Sequence, residues 1–281
     1  MSLTFTEEGH KYQSIEDDGI DWVSATGLIS YFKGDFDPMT QSVKSSKNKK
    51  SKWYGMTPLA IRTAWEKESK RATDLGTWYH NQREADLCAL DTIGSNGRVL
   101  NVYRPNVVKG IKYAPDQKLA EGMYPEHLAY LKSAGITGQS DKVAVVINRV
   151  NVGDYKTSKV IDEVGYTNWE GITSKMKAPL NHLDDCHLNH YALQLSLYMY
   201  IILKHNPDLF PGTLTIEHII FEEAGRDEFD YPITARDING DPILKEIVYH
   251  DLPYLKSEVI GMLNFLKNNR HLFLNKKKQA A

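Results

Sequence analysis

Only two cysteines, Cys88 and Cys186, occur in the 281 residues. They cannot build a disulfide framework or a four-cysteine metal site, and so they point to a reducing compartment. Long apolar runs are missing as well. The richest stretch, Leu193 to Leu203, is too short to span a bilayer and is interrupted by Gln194 and Ser196. The opening residues, MSLTFTEEGH, lack the basic-then-apolar pattern of a secretion signal, and a soluble, cytoplasmic protein is expected. No internal repeat and no Pro/Gly linker divides the chain. Neither sign of charge is in excess, with 34 Lys plus Arg against 36 Asp plus Glu, which excludes a small basic protein that coats nucleic acid. The balance is not local, however. Residues 33–72 hold ten basic and four acidic residues, residues 261–281 five basic and none acidic, and residues 206–251 three basic and eleven acidic. Hydrophobic residues make up 41% of the chain, enough for a sizeable core.

Residues 4–23 read as a β-hairpin turning near Asp17-Asp18-Gly19, followed by Ser24 as the cap of a short helix over Ala25 to Tyr31. Gln41 to Lys52, with five lysines and no acid, reads as a solvated, mobile loop. Pro58 to Lys70 and Leu75 to Leu90 are patterned as two helices, with Trp65, Trp78, Leu87 and Leu90 as core candidates. Residues 91–118 look irregular. Ile136 to Lys156 is the clearest hairpin, and His187 to His205 is a strong helix with Leu193, Leu197, Tyr200 and Ile201 at helical spacing. Leu214 to Glu222 and Ile243 to His250 read as strands, and Leu252 to Arg270 as an amphipathic helix. The expectation is a mixed α/β class, a central mixed sheet flanked by helices. It would be one domain with an N-terminal part (1–75), a core (76–222) and a C-terminal strand and helix (223–281).

With a turn at Asn148-Arg149, Ile147 faces Val150, Asp141 faces Lys156 and Val143 faces Asp154. Alternation then projects Asp141, Asp154 and Lys156 from one otherwise apolar face, with the two acids diagonal neighbours. Two carboxylates in that relation can converge on a hard divalent cation. The cation can activate water beside a phosphate, and the lysine can orient that water or stabilise the transition state. A solvated salt bridge at a strand end is the plainer alternative, but unpaired charge on an apolar face is costly. Gly76-Thr77-x-x-His80 opens a predicted helix, with Glu84 at i+4 from His80. Glu126 precedes the hairpin. Gln194 and Tyr198 stand at i and i+4, with Tyr191 before them, as a polar-aromatic seam on an apolar helix.

Taken in order, Gly76-Thr77-Trp78-Tyr79-His80, Glu126, Gly138-Gln139-Ser140-Asp141, Asp154-Tyr155-Lys156-Thr157 and Gln194-Leu195-Ser196-Leu197-Tyr198 resemble the PD-(D/E)xK nuclease superfamily. The resemblance is specifically to its RecB-type branch, including phage exonucleases and the mitochondrial genome maintenance exonuclease. Gly9-His10-Lys11-Tyr12, Val23-Ser24-Ala25-Thr26 and the segment from Leu252 to Leu266 extend it over nearly the whole chain. Two departures are Ser140 in place of the proline and Asp154 in place of glutamate. The resemblance implies a restriction-endonuclease-like core and Mg2+-dependent hydrolysis of DNA, with Mn2+ able to substitute. Asp141, Asp154 and His80 would be metal ligands, Lys156 the catalytic lysine and Glu126 a further acid. Gln194, Tyr198 and Thr157 would contact nucleic acid. Two cysteines leave no room for the iron–sulfur cluster of some relatives. The partner implied is DNA, single-stranded or with free ends, in replication, recombination or repair in a bacterial or phage-infected cell.

Lys44, Lys47, Lys49, Lys50 and Lys52 are further candidates for gripping a phosphate backbone. Trp53 and Tyr54 are candidates for stacking on bases, with burial as the alternative. Asp184-Asp185-Cys186-His187-x-x-His190, near His182, carries a weak zinc pattern, and one of the two aspartates more simply caps the following helix. Lys276-Lys277-Lys278 reads as a solvated tail. Two same-fold alternatives are an endonuclease or an RNA-directed enzyme. From another class, a catalytically silent DNA-binding module would be expected to lack the acids or the lysine.

Overall fold

The computed structural model describes residues 3–9, 11–16, 19–95, 97–168 and 170–273. The chain begins with a hairpin of β1 (Leu3–Thr6) and β2 (Lys11–Ser14), in which Thr6 is opposite Lys11. Residues 7–9 turn after β1, so the hairpin does not turn at Asp17-Asp18-Gly19; His10, Asp17, Asp18 and the lysines at 276–278 lie outside the described residues. β3 (Val23–Ser24) leads into α1 (Ala25–Phe32), and the Ser24 hydroxyl accepts the Gly27 N–H at 3.1 Å, the expected cap.

The lysine-rich stretch is not a loop over its first half. It lies in α2 (Pro38–Lys47), which Asp37 caps by accepting the N–H groups of Met39 and Thr40. Pro38 occupies the first helical turn, and Ser42 is buried where Arg62 donates to its hydroxyl at 3.0 Å. A cap and one buried seam outweigh a polar composition. The two expected helices that follow are one, α3 (Pro58–Cys88), 31 residues long. Gly76 lies in its interior, where a Cβ would come 3.2 Å from the Thr157 hydroxyl, so a bare backbone lets the helix approach the sheet. Ile61, Ala64 and Tyr79 are its buried residues; Trp65, Trp78 and Leu87 are half-buried and Leu90 is exposed.

Residues 91–118 are not irregular but hold four short strands, β4 (Thr92–Ser95), β5 (Arg98–Asn101), β6 (Asn106–Val108) and β7 (Ile111–Tyr113). Strands of three or four residues are too short to display a period. β4 and β5 form a hairpin, while the others join the first hairpin in a sheet of order β2-β1-β7-β6.

The larger sheet is built from β8 (Gly122–Leu131), β9 (Ile136–Val146), β10 (Arg149–Lys156), β11 (Phe210–Phe221) and a last long strand, reached through the small hairpin of β12 (Glu223–Arg226) and β13 (Pro232–Thr234). That last strand is β14 (Leu244–Leu252), and the order is β14-β11-β10-β9-β3, with β8 also paired to β9. β10 and β11 are parallel, connected through α4 (His187–His205), whereas β9 is antiparallel to both β8 and β10. With α5 (Lys256–Asn268), the class is the expected one, a mixed α/β protein with a central mixed sheet flanked by helices. The main core lies where α4 packs Leu193, Leu197 and Ile201 against Val143, Val152 and Ile216 of the sheet and Leu28 of α1. Among the described residues, no helix is long and apolar enough to cross a membrane.

The central hairpin turns one residue earlier than expected. Val146 is opposite Arg149 and Val150 opposite Val145, so Ile147 and Asn148 form the turn, with Ile147 at φ 61°. The parity is unchanged, so Asp141, Asp154 and Lys156 keep one face. Continuing the register brings Asp154 directly beside Asp141.

Gly138 of β9 is a tight point of this assembly. A Cβ there would lie 2.4 Å from Tyr198 Cε1 and 3.1 Å from Ala25 Cβ. Gly138→Ala is expected to cost about 1–3 kcal/mol through overpacking, read as a lowered Tm. An unchanged Tm would mean that α4 does not seat on β9 as described.

Candidate functional site

The ladder between β9 and β10 ends where Gly153 opposes Lys142. Two residues on, the Tyr155 N–H donates to the Asp141 carboxylate at 2.7 Å, and the start of β9 pairs with β3 at Ile136 and Thr137. A side chain has replaced the backbone acceptor, and a cleft of about 430 Å³ opens there. Asp141, Asp154, Lys156, His80, Glu126, Gln194 and Tyr198 all line it.

His80 reaches in from the middle of α3, not from a helix start. Its Nδ1 lies 3.3 Å from Asp141 and its Nε2 3.1 Å from the Tyr155 carbonyl oxygen. Glu126 comes from β8 in a left-handed backbone conformation, φ 50°, a strained state for a non-glycine residue within a strand. Its carboxylate accepts from the Gln139 amide and lies 3.5 Å from the Lys112 ammonium. His80, Glu126 and Asp141 each offer a ligand atom, all within 4.8 Å of one another. Two carboxylates and an imidazole suit a divalent cation such as Mg2+ or Mn2+. Asp154, also expected among the ligands, lines the same cleft, where it is paired with the Lys156 ammonium, and Glu126 completes the group of His80 and Asp141. Lys156 also lies 4.9 Å from the centre of the Tyr191 ring.

The electrostatics follow from burial and crowding. Burial alone would raise Asp141, yet its hydrogen bond and charge interaction with His80, together with Lys156, hold it below the usual carboxylate range. Burial and the Asp141 charge push Asp154 up to about 6 and Glu126 up to about 8. His80 rises to about 9, because Asp141 outweighs the opposing effect of burial. Lys156 is likewise raised, burial being outweighed by Asp154 and Asp141. Three acids so close together resist full ionisation until a cation joins them.

The remaining expected residues divide. Gln194 donates to the Tyr198 hydroxyl at 3.1 Å at the cleft wall. Thr157 lies outside this cleft, in a smaller pocket with Glu68 and Arg71. Lys44, Lys47, Lys49, Lys50 and Lys52 are exposed on α2 and the turn after it, and none lines the cleft. Lys52 donates to the Phe229 carbonyl at 2.6 Å. Trp53 is not a stacking platform. It is buried with Trp65, Phe229 and Tyr231, and only Tyr54 beside it is exposed. The histidines near α4 do not gather into a zinc site. His182 pairs with Glu258, His187 with Asp162 and His190 with Asp185. Cys186, not an aspartate, is the N-cap of α4; Asp184 and Asp185 accept instead from the N–H groups of Gly165 and Gly34.

Lys112 and Glu7 also belong to the cleft and went unread in the sequence. Lys112 sits in a three-residue strand with no pattern to reveal it. Glu84 was visible one helical turn after His80, though without a role.

No family model and no curated protein matches the chain. Among solved structures, the crystal structure of SSO0001 aligns over 91% of this chain and 80% of its own at 12% identity, with a TM-score of 0.30, a level of similarity that carries no inference about fold or function.

Glu126 yields a pH-dependent prediction. Its folded pKa of about 8 lies above its ordinary value of 4.5, so wild-type stability falls as pH rises between those values. Glu126→Gln is therefore expected to raise the Tm of the metal-free protein. The gain should be absent below pH 4.5, grow up to about pH 8 and reach about 1–3 kcal/mol at neutrality, one pKa unit being about 1.4 kcal/mol. Thermal melts of both proteins from pH 4 to 9 check this.

Proposed function

We propose that the chain is a Mg2+-dependent nuclease of the PD-(D/E)xK type, RecB-like branch, which hydrolyses phosphodiester bonds in DNA. The observation that supports this reading best is the convergence of His80, Glu126 and Asp141 with the Asp154–Lys156 pair in one open cleft. A silent binding module has no use for buried carboxylates held against their preferred protonation. The most economical form of the activity is exonucleolytic, on single strands or free ends, in replication, recombination or repair inside a bacterial or phage-infected cell.

When bound, the divalent ion supplies a Lewis acid for the phosphate and acidifies a water molecule. The chain's own residues do the rest. Asp141, clamped by the Tyr155 N–H, and His80, resting on the Tyr155 carbonyl, keep their positions before substrate arrives. Lys156 is held as an ammonium by Asp154. From there it orients the attacking water and donates to the oxygen on which charge builds. Gln194 and Tyr198 form the polar wall against which a nucleotide is positioned. The exposed lysines of α2 hold the backbone of the same strand at a distance from the cleft.

Linear end-labelled DNA, single- and double-stranded, is expected to be degraded with Mg2+ or Mn2+ and not with EDTA. Asp154→Asn and Lys156→Ala should each lower the rate by about 10²-fold or more. Metal-independent cleavage, or full activity in both variants, would overturn the reading. Circular single-stranded DNA left intact marks an exonuclease, and its cleavage an endonuclease. Lys44→Ala/Lys47→Ala/Lys49→Ala should weaken DNA binding and flatten its salt dependence, measured by fluorescence anisotropy.

A further inference from the structure

Lys112 is 6% exposed, yet its ammonium lies beside the candidate metal ligand Glu126. It stands on β7 between two neighbours, opposite Phe5 of β1 and Val107 of β6. Its ammonium lies 3.1 Å from Glu84, 3.3 Å from Glu7 and 3.5 Å from Glu126. The ammonium donates a hydrogen bond to Glu84 Oε2 at 3.3 Å, and the three ion-pair distances are nearly equal, so it is shared among three carboxylates as an ion would be. The three come from separate parts of the fold: the turn after β1, the α3 face one turn beyond His80, and β8.

Glu126 belongs to both groups. In two-metal phosphodiesterases, neighbouring ions about 3.5–4 Å apart act together on the phosphate. Glu84, Glu7 and a shared Glu126 have the donor chemistry of such a second position, and Lys112 fills it.

We infer that Lys112 is a built-in cation that occupies the place of a second metal and limits the site to one divalent ion, positioning Glu126 toward His80 and Asp141. This rests on the metal site proposed above. It makes Lys112 a positioning residue, tested by counting bound ions.

Mn2+ titrations of the folded protein, followed by the electron paramagnetic resonance signal of the free ion, should give one Mn2+ per wild-type chain. Lys112→Met should bind two, Lys112→Arg one, and Lys112→Met/Glu84→Gln one again, with circular dichroism confirming the fold of each. Two ions in the wild type, or one in folded Lys112→Met, overturns the inference; Lys112→Gln, which keeps a polar group at the position, gives the same readout where Lys112→Met does not fold. No ion bound to the wild type overturns the metal site itself, and this inference with it.

Discussion

One hydrogen bond, from the Tyr155 N–H to the Asp141 carboxylate, holds the site together. It takes the place of a backbone pairing at the point where β10 parts from β9, so the sheet opens without leaving that donor unsatisfied. His80 meets the next peptide unit, through the Tyr155 carbonyl, while its second nitrogen faces Asp141. One residue's backbone is gripped at both poles. Sheet geometry, the position of α3 and the ionisation of Asp141 are thereby a single constraint.

Around that clamp the chain concentrates charge it does not easily bear. Asp154 is 2% exposed and is answered by Lys156; Glu126, in a strained backbone state, is answered by Lys112 and Gln139. Such arrangements cost folding stability. The near-zero net charge is consistent with this division. Acids gather in the cleft, and lysines gather on α2 and the turn after it, outside it.

Features with long, regular signals were legible in the sequence. The strands of the central hairpin, helix α4 and the Ser24 cap all stand where periodicity and capping chemistry place them. The hairpin turn slipped by one residue because Asn148-Arg149 has turn chemistry, whereas β-branched Ile147 is an improbable residue for positive φ. The face-sharing of Asp141, Asp154 and Lys156 survived because it depends only on parity. Helix α2 was hidden because its stability comes from Asp37 and from burial of Ser42, neither of which a lysine run advertises. Lys112 was hidden because its partners are distant in sequence, and a buried lysine is recognisable only by what surrounds it.

The unbroken run of α3 has a consequence for how this protein can change. Ile61 and Ala64 anchor one end in an aromatic cluster, and Tyr79 and His80 meet the sheet near the other. Each residue of an α-helix advances about 100° around the axis. An insertion or deletion of one residue between Ala64 and Tyr79 would turn Tyr79 out of its cluster and swing His80 away from Asp141, although neither residue had been replaced. Substitutions along the exposed middle of the helix, such as at Thr73 or Asp74, would leave that phase intact. Apart from Gly76, where the helix meets Thr157, the segment tolerates changes in composition far better than a change in length.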